Sequence, residues 1–356
     1  MANKSTILIR NIYHMLSYAF QELRKNNYDN IAEEDFKQIL DLFAEILFRG
    51  VSEQLKQGLY KEYIERHETL SIMRGRLDIN GTIRNIIQRK RYLDCEYDEL
   101  SINNQLNRIL KSTLLLLVRS EDVNTKRKRQ LRSILPFFND VDECDLRNIR
   151  WGAMCFQRNN RSYRMLMNIC YFIVERALMT TESGNKRMPT FSDEHMNRLF
   201  ERFVLNYYKR HYPSLKANAD AIKWNILEDG ESEGLDLLPS MQSDITLHGT
   251  DHTLIIDTKY YTAMMQSQYD KKSIHSGNLY QIFTYVKNRD KEHLGNVSGM
   301  LLYAQTNEDI VPRVDTVIDG SRVMVRALAI NCEFKDIQMQ LNDIAEMIFP
   351  GVTAQM

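Results

Sequence analysis

The chain has 356 residues, with 47 basic and 47 acidic side chains and a formal net charge of zero at pH 7. Its 43% apolar and 26% charged content is that of an ordinary globular protein, and its length allows two or three domains. The longest uninterrupted apolar run, Leu114 to Val118, is far shorter than the roughly 20 residues of a membrane span, and the N-terminus lacks a signal-peptide pattern. We therefore expect a cytoplasmic protein with no membrane contact.

The five cysteines are an odd number and include no Cys-x-x-Cys pair. This argues against both a disulfide framework and a thiolate zinc site. We expect reduced, mostly buried thiols.

Charge is unevenly distributed along the chain. Residues 101–200 carry 17 Lys and Arg against 10 Asp and Glu, whereas residues 201–350 carry 15 against 21. The basic middle of the chain predicts contact with a polyanion or with an acidic partner surface.

The first 180 residues are predicted to be mainly helical. In ILIRNIYHMLSYAF the apolar residues follow helical spacing. Short strands are predicted between 60 and 99, where GRLDINGT carries two turn-prone glycines. Further helices are predicted over 35–58, 102–119, 126–135 and 162–179. The segment TTESGNKRMPT, 180–190, lacks periodicity and places a boundary between domains 1–180 and 190–356.

The pattern changes after this boundary. Ser192 is a plausible N-cap for a helix that extends to about residue 210. Strands are then predicted over 222–227, 242–248 and 253–260, followed by a helix over 277–288, strands over 299–305 and 322–330, and a helix over 335–348. Alternating helices and strands of this kind predict an α/β domain after a mainly helical half, and so an α+β or α/β multidomain chain.

The stretch SDITLHGTDHTLIIDTKYY, 243–261, predicts a hairpin with its turn at HGTD. With the turn centred between Thr250 and Asp251, Ile245 faces Ile256 and Asp244 faces Asp257. Directly opposed carboxylates repel unless a positive charge lies between them. Lys259, two residues after Asp257, shares its face of the strand.

A divalent cation resolves this repulsion. Mg²⁺ takes a few hard oxygen ligands, and a lysine beside it can orient a water and stabilise charge on a phosphate. The alternative is a solvated ladder of charges on an edge strand. The apolar run before Asp257, the opposed Asp244 and a downstream helix with Gln281 and Tyr285 on one face favour a phosphodiester hydrolysis site. Two interpretations of Gln281 and Tyr285 are open: they contact DNA or support the metal site, or they only cap the edge of the sheet.

The arrangement D-(x12)-D-x-K resembles the PD-(D/E)xK nuclease motif, and Gln281-x-x-x-Tyr285 resembles the variant found in RecB-like members. Such nucleases share an αβββαβ core, which agrees with the predicted order of elements. The motif's proline is absent here, since Ser243 precedes Asp244.

A wider resemblance covers essentially the whole chain. Six segments resemble, in the same order, parts of the McrC family, the nuclease subunit of the McrBC 5-methylcytosine-dependent restriction system: RNIYHMLSYAF (10–20), GRLDINGTIR (75–84), NRILKSTLLLL (107–117), LLPSMQSDITL (237–247), LIIDTKYY (254–261) and HSGNLYQIFTYV (275–286).

The resemblance implies roles for particular residues. Asp244 and Asp257 become Mg²⁺ ligands with the Thr258 carbonyl as a third, and Lys259 becomes the catalytic lysine. Glu201, otherwise an exposed helix charge, becomes an accessory acid. Gln281 and Tyr285 become accessory residues.

The resemblance also implies a partner and an energy source. The sequence has no G-x-x-x-x-G-K-[ST] loop, so we expect no nucleotide bound by that route. In the McrBC family a separate AAA+ subunit, a McrB-like hexamer, hydrolyses GTP and recognises methylated double-stranded DNA. Residues 1–180 are expected to dock onto this ring and to stimulate its GTPase.

Basic residues offer candidate contacts with DNA or with the partner. The run Lys126, Arg127, Lys128 and Arg129 fits phosphates or an acidic rim, although a solvated helix face is the simpler reading for any one of them. Arg74 and Arg76 flank Gly75, which lets the backbone carry a side chain into a tight place. Lys271 and Lys272 fall where a DNA-contacting loop would lie.

Two other functions remain open from the sequence. A stand-alone repair or recombination nuclease would cut plain DNA without a partner or GTP. A non-catalytic adaptor would activate a motor while its nuclease-like fold only held DNA. The complete Asp244, Asp257 and Lys259 set argues against the adaptor.

Overall fold

In the computed structural model, the described residues are 4–20, 23, 31, 34, 36, 38–156, 160–182, 193–226, 233–260, 266–268, 271–305 and 311–355. The α-helices in these ranges are α1 (Lys4–Ala19), α2 (Ile39–Gln57), α3 (Ile79–Ile87), α4 (Gln105–Arg119), α5 (Thr125–Ile134), α6 (Arg161–Glu182), α7 (Asp193–His211), α8 (Ser276–Arg289) and α9 (Phe334–Ile348). No helix in them has the length and apolar character needed to cross a membrane.

The strands in the same ranges form four sheets. They are β1 (Glu62–Leu70), β2 (Arg76–Leu77), β3 (Leu93–Ser101), β4 (Ala221–Ile222), β5 (Met241–Gln242), β6 (Ile245–His248), β7 (Thr253–Lys259), β8 (Gln266–Gln268), β9 (Lys271–Ser273), β10 (Val297–Gln305), β11 (Val314–Ile318) and β12 (Ser321–Ala329).

The chain divides into two compact units. Residues 38–187 form one, and residues 1–37 with 188–356 form the other. This differs from the predicted domains 1–180 and 190–356, because the first 37 residues belong with the C-terminal unit. Contacts of α1 explain the difference: Asn11 Nδ2 donates to the carbonyls of Ile330 and Cys332, and the Tyr18 hydroxyl bonds the His211 ring.

The unit of residues 38–187 is a helical bundle with a small attached sheet. Helices α2, α4, α5 and α6 pack together, with Phe43 and Leu47 of α2 and Leu110 and Leu114 of α4 buried at helical spacing. The predicted helices of this region are confirmed. Strands β1, β3 and β2 pair in that order in the attached antiparallel sheet.

Helix α3 was missed by the sequence patterns, which indicated turns and strands at its position. Asp78 caps it by accepting a hydrogen bond from the Asn80 N–H at 3.1 Å. Gly81 lies inside the helix because a Cβ there would collide with the Asp94 carboxylate. The glycine therefore reflects close packing against β3, although in sequence it looks like a turn signal.

The second unit is built on a five-stranded sheet of order β11-β12-β10-β7-β6. Strands β6 and β7 pair antiparallel with Ile245 opposite Ile256 and Leu247 opposite Leu254, which confirms the predicted hairpin register. Strands β7, β10 and β12 run parallel. Ile282 and Val286 of α8 pack against one face of this sheet in a common core with Ile255.

The predicted strand over 222–227 does not join this sheet. Among the described residues 221–226, Ala221 and Ile222 are the ones that form a strand, and they pair with Met241 and Gln242 in a separate ribbon. After Ile222, hydrogen bonds that involve side chains replace strand pairing. Trp224 Nε1 donates to the Pro239 carbonyl, and the Asn225 backbone N–H donates to Asn288 Oδ1. Among the described strands, the five-stranded sheet thus has two before α8, where three were expected. Edge strand β11, mostly exposed, was not predicted because it lacks apolar alternation.

Candidate active site

The predicted site residues of the C-terminal unit meet where β6 begins and β7 nears its end. Asp244 directly precedes β6, whose pairing with β7 begins at Ile245 opposite Ile256. Asp257 and Lys259 therefore lie on the part of β7 that extends past β6. Gln281 and Tyr285 lie on α8, which packs against β7 and β10.

Asp257 is completely buried. Its Oδ2 lies 2.6 Å from Lys259 Nζ, whereas its buried Oδ1 accepts no hydrogen bond from any residue that the structure describes. Burial, followed by the charge of Asp244, raises the pKa of Asp257 to about 6, against the opposing effect of Lys259. One ammonium thus only partly offsets the cost of burying this carboxylate.

Asp244 is half-buried and supports the end of β7. Its Oδ2 accepts hydrogen bonds from the Thr258 backbone N–H at 2.7 Å and from the Thr258 hydroxyl at 2.8 Å. Because the N–H and C=O of one residue lie on the same edge of a strand, the Thr258 carbonyl is directed to the edge where Asp244 lies. The carboxylate of Asp244 and the carbonyl of Thr258, two of the three predicted metal ligands, therefore lie at the same edge of β7.

Glu201 on α7 adds a third acid to this cluster. Burial, followed by the charge of Asp244 and, to a smaller extent, that of Asp257, raises the pKa of Glu201 to about 7, against the opposing effect of Arg202 and Arg198. The two aspartates act on Glu201 only because α7 brings its carboxyl near them. Glu201 is therefore half-buried beside the site, and the alternative of an isolated exposed helix charge does not describe it.

Gln281 and Tyr285 lie next to Lys259. Gln281 Oε1 is 3.5 Å from Lys259 Nζ, and Gln281 Nε2 donates to the Tyr285 hydroxyl at 2.9 Å. Tyr285 is buried in the core between α8 and the sheet. The two residues thus link the ammonium of Lys259 to a fixed point in the core.

Asn197 is a site neighbour that the sequence patterns did not indicate. Its Oδ1 accepts a hydrogen bond of 2.9 Å from the backbone N–H of Tyr260, the residue after Lys259. Asn197 lies one helical turn before Glu201 and so shares its face of α7. That spacing was the available signal, but asparagine in a helix carries no motif of its own.

The basic run of α5 is only partly accessible. Lys126 and Arg129 are exposed and Lys128 is half-buried, but Arg127 is buried and forms an ion pair with Glu45 at 2.5 Å. The prediction that Arg127 contacts DNA or a partner is therefore wrong. Its guanidinium neutralises a buried carboxylate inside the helical unit.

Arg74 and Arg76 flank a glycine whose backbone lies in the left-handed region. Gly75 has a φ of 67°, and a Cβ there would collide with the Glu96 carbonyl, so glycine is required. The Arg74 guanidinium stacks 3.9 Å from the centre of the Tyr97 ring, whereas Arg76 is exposed. The side chains of Lys271 and Lys272, predicted to contact DNA, lie outside the described residues.

The residues at the end of β7 fit a magnesium ion by their chemistry. No group of three His, Cys, Asp or Glu side chains within the described ranges has the arrangement of a metal site. Mg²⁺, however, is usually held by one or two carboxylates and keeps several waters. Asp244, Asp257 and the Thr258 carbonyl provide such a donor set, and the unpaired Oδ1 of Asp257 is an oxygen available to it.

These features define a mixed helix-and-sheet protein with a cluster of carboxylates and one lysine at the end of a sheet. The chain belongs to the family described as McrBC 5-methylcytosine restriction system component, whose model matches residues 3–304. The resemblance noted in the sequence is thereby confirmed.

A curated relative and two solved structures are similar to this chain. The type IV methyl-directed restriction enzyme EcoKMcrBC of Escherichia coli K12 is 27% identical over 340 residues, which cover 95% of this chain and 97% of that protein. A half-complex from a tetradecameric assembly of Thermococcus gammatolerans McrB AAA+ hexamers with bound McrC matches at 17% identity and a TM-score of 0.46, covering 92% of this chain and 75% of that one. The McrBC complex of the same organism matches at 22% identity and a TM-score of 0.44, covering 58% and 59%.

Proposed function

We propose that this chain is the DNA-cleaving subunit of a modification-dependent restriction complex, a Mg²⁺-dependent endodeoxyribonuclease. The observation that carries the proposal is the meeting of Asp244, Asp257 and Lys259 at the end of β7, with Glu201 beside them. Family membership supports the restriction role. The E. coli relative, named as a methyl-directed restriction enzyme, supports methylated DNA as the substrate.

The roles of the residues follow from their positions. Asp244, Asp257 and the Thr258 carbonyl would hold Mg²⁺, which when bound polarises phosphate oxygens and makes water a better nucleophile. Lys259 orients the attacking water and offsets charge that develops on the phosphate. Gln281 holds the Lys259 ammonium, and Tyr285 holds Gln281. On this proposal α7, β6, β7, α8 and β10 form the core of a PD-(D/E)xK nuclease domain.

We further propose a McrB-like AAA+ hexamer as the partner that binds GTP, with its GTPase stimulated by this chain. The support is the family and a set of exposed apolar side chains in the unit of residues 38–187, on α3 and in the segment between β1 and β2. The isoleucines and methionine of this set are between 48% and 78% exposed, more than a monomer needs to expose: Ile72, Met73, Ile79, Ile83, Ile86 and Ile87. We name this set the α3 surface and propose that it docks on the partner.

Asp257→Asn tests the catalytic assignment because it removes the charge and keeps the shape of a buried side chain. The assay combines methylated plasmid, the AAA+ partner, GTP and Mg²⁺, and follows cleavage and GTP hydrolysis together. We expect cleavage to fall by about a thousandfold or more, with GTP hydrolysis unchanged. Asp251→Asn, an exposed aspartate in the turn of the same hairpin, is the matched control and keeps both activities.

Three outcomes would contradict parts of the proposal. An Asp257→Asn chain that still cuts has its active site elsewhere. A complex that never cuts, but whose GTPase this chain activates, is the outcome expected of a non-catalytic adaptor. Cutting of unmethylated DNA by the chain alone, without GTP, indicates a stand-alone repair or recombination nuclease.

A further inference from the structure

One edge of the catalytic strand is left without a neighbouring strand. Strand β10 pairs with β7 as far as Tyr303 opposite Lys259, but the pairing with β6 stops at Ile256. From Asp257 onward, the described residues therefore provide a strand on one edge of β7 only. Backbone N–H groups on the other edge need acceptors from elsewhere.

Two side chains provide those acceptors. N–H groups of alternate residues point to the same edge of a strand. The Thr258 N–H donates to Asp244 Oδ2 at 2.7 Å, and the Tyr260 N–H, two residues further on, donates to Asn197 Oδ1 at 2.9 Å. Asp244 and Asn197 thus take successive places that the main chain of β6 would otherwise fill.

We propose that Asn197 is a positioning residue for the nuclease reaction, which fastens the end of β7 to α7 and so fixes Lys259 relative to Glu201. The inference rests on the proposed function. Lys259 directly precedes the bonded residue Tyr260, and Glu201 lies one helical turn after Asn197. A single hydrogen bond therefore couples the strand that carries the lysine to the helix that carries the third acid.

The chemistry of asparagine suits this position. Glu201, Asp244 and Asp257 already place three carboxyl groups together, and an aspartate at 197 would add a fourth. An amide oxygen accepts the same hydrogen bond without adding charge. Asn197 is itself half-buried, between the buried residues Met196 and Phe200 that anchor α7, so replacing it leaves the packing of the helix intact.

The first measurement is amide hydrogen exchange at Tyr260 in the full-length, metal-free chain. Asn197→Leu, similar in size but without an acceptor, is expected to exchange roughly tenfold faster, the effect of one lost hydrogen bond. Asn197→Asp, which keeps an acceptor, is expected to exchange at the wild-type rate. Asn206→Leu is the matched control, since Asn206 Nδ2 donates to the Arg202 carbonyl within the same helix.

The second measurement is cleavage by the complete complex with partner, GTP and Mg²⁺. Asn197→Leu is expected to lower kcat roughly tenfold and to leave KM for DNA unchanged, because Asn197 is argued to act through Lys259 and not on DNA. If Asn197→Leu does not fold, Asn197→Ala replaces it in both measurements.

The two arms separate the possible failures. Unchanged Tyr260 exchange in Asn197→Leu, or faster exchange with unchanged kcat, overturns the positioning role. A rise in KM alone also overturns it, because that result makes Asn197 a DNA contact. Cleavage that survives Asp257→Asn overturns the proposed function instead, and the exchange arm still decides whether Asn197 holds the end of β7.

Discussion

Two buried carboxylates of this chain, Glu45 and Asp257, have different electrostatic surroundings. In the helical unit, one carboxylate, Glu45, lies against two guanidinium groups, Arg127 at 2.5 Å and Arg49 at 2.6 Å. At the end of β7, the buried Asp257 forms its ion pair with the single ammonium of Lys259, and two further acids, Asp244 and Glu201, lie close enough to interact with it. The first arrangement neutralises a core charge, whereas the second leaves excess negative charge, which favours a cation.

We predict that Arg127→Met destabilises the helical unit. Removing one member of a buried pair leaves its partner poorly compensated, at a cost of about 3 kcal/mol. Urea unfolding of the full-length chain provides the measurement. Arg129→Met, an exposed neighbour on the same helix, is the control and is expected to change the unfolding free energy by less than about 0.5 kcal/mol. Equal effects from both variants would refute the structural role of Arg127.

A second residue-scale prediction concerns pH. Burial, aided by the nearby Arg10 charge, lowers the pKa of His14 from 6.5 to about 4. The His14 ring stacks on the Phe334 ring, with 4.2 Å between the ring centres. Between these two values the unfolded chain binds more protons than the folded chain, so stability rises with pH. The contribution of neutral His14 is therefore complete above pH 6.5 and is lost as pH falls to about 4, by roughly 3 kcal/mol.

His14→Phe isolates this effect, because it keeps an aromatic ring against Phe334 and removes the titrating group. Unfolding free energies of the two proteins, measured between pH 4 and 8, are to be subtracted at each pH so that other groups cancel. We expect the difference to change steadily below pH 6.5 in favour of the variant. A difference that is flat with pH would show that His14 does not titrate as inferred.

Among the elements, α3 has an unusual distribution of apolar residues. Helices of globular domains normally bury their isoleucines, yet Ile79, Ile83, Ile86 and Ile87 are all exposed here. Within this unit, Gly81 and Thr82 are the buried positions of α3. The helix is thus held by its small residues and presents its large ones outward.

We predict that Ile87→Glu, on the α3 surface, abolishes binding of the AAA+ partner and leaves the fold intact. A charge placed in an apolar contact costs several kcal/mol of binding, whereas at an exposed position it changes stability by about 0.5 kcal/mol or less. Size-exclusion chromatography with the partner and thermal unfolding of the chain alone are the measurements. Gln88→Glu introduces the same charge next to it without removing an apolar group, and should still bind. Normal binding by Ile87→Glu would place the docking surface elsewhere.

At the scale of the whole molecule, one unit is built from a single continuous segment of the chain and the other from two separate segments. Residues 38–187 are one continuous segment with their own buried core, whereas the other unit needs both ends of the chain. Helix α1 covers α7, where Tyr18 packs against the rings of Phe203 and Tyr207. A fragment that lacks α1 would expose these aromatic residues to water.

We predict that the fragment 38–187 folds alone and that the fragment 188–356 does not. Circular dichroism and cooperative unfolding are expected for the first, and aggregation or loss of cooperative unfolding for the second. Adding residues 1–37 back to the second fragment through a flexible linker should restore folding. A stable, cooperative 188–356 fragment would show that α1 is dispensable for its unit.

The sequence alone determined the features that depend on local periodicity. Helices α2, α4, α5 and α6 and the hairpin register of Ile245 and Ile256 follow from spacing of 3.6 and 2 residues, which is a property of the local backbone. The motif of Asp244, Asp257 and Lys259 lies within that one hairpin, and it was readable for the same reason.

Only the tertiary structure decided which distant residues meet. In sequence, Arg127 resembles its exposed neighbours, but in the fold Glu45 of α2 forms a buried ion pair with it. Gly81 resembles a turn residue in sequence, but in the fold it packs closely against Asp94 of β3. The raised pKa of Glu201 and the bond from Tyr260 to Asn197 depend on how α7 lies against β7. Burial and close approach are properties of packed surfaces, and a linear pattern contains no information on which surfaces pack together.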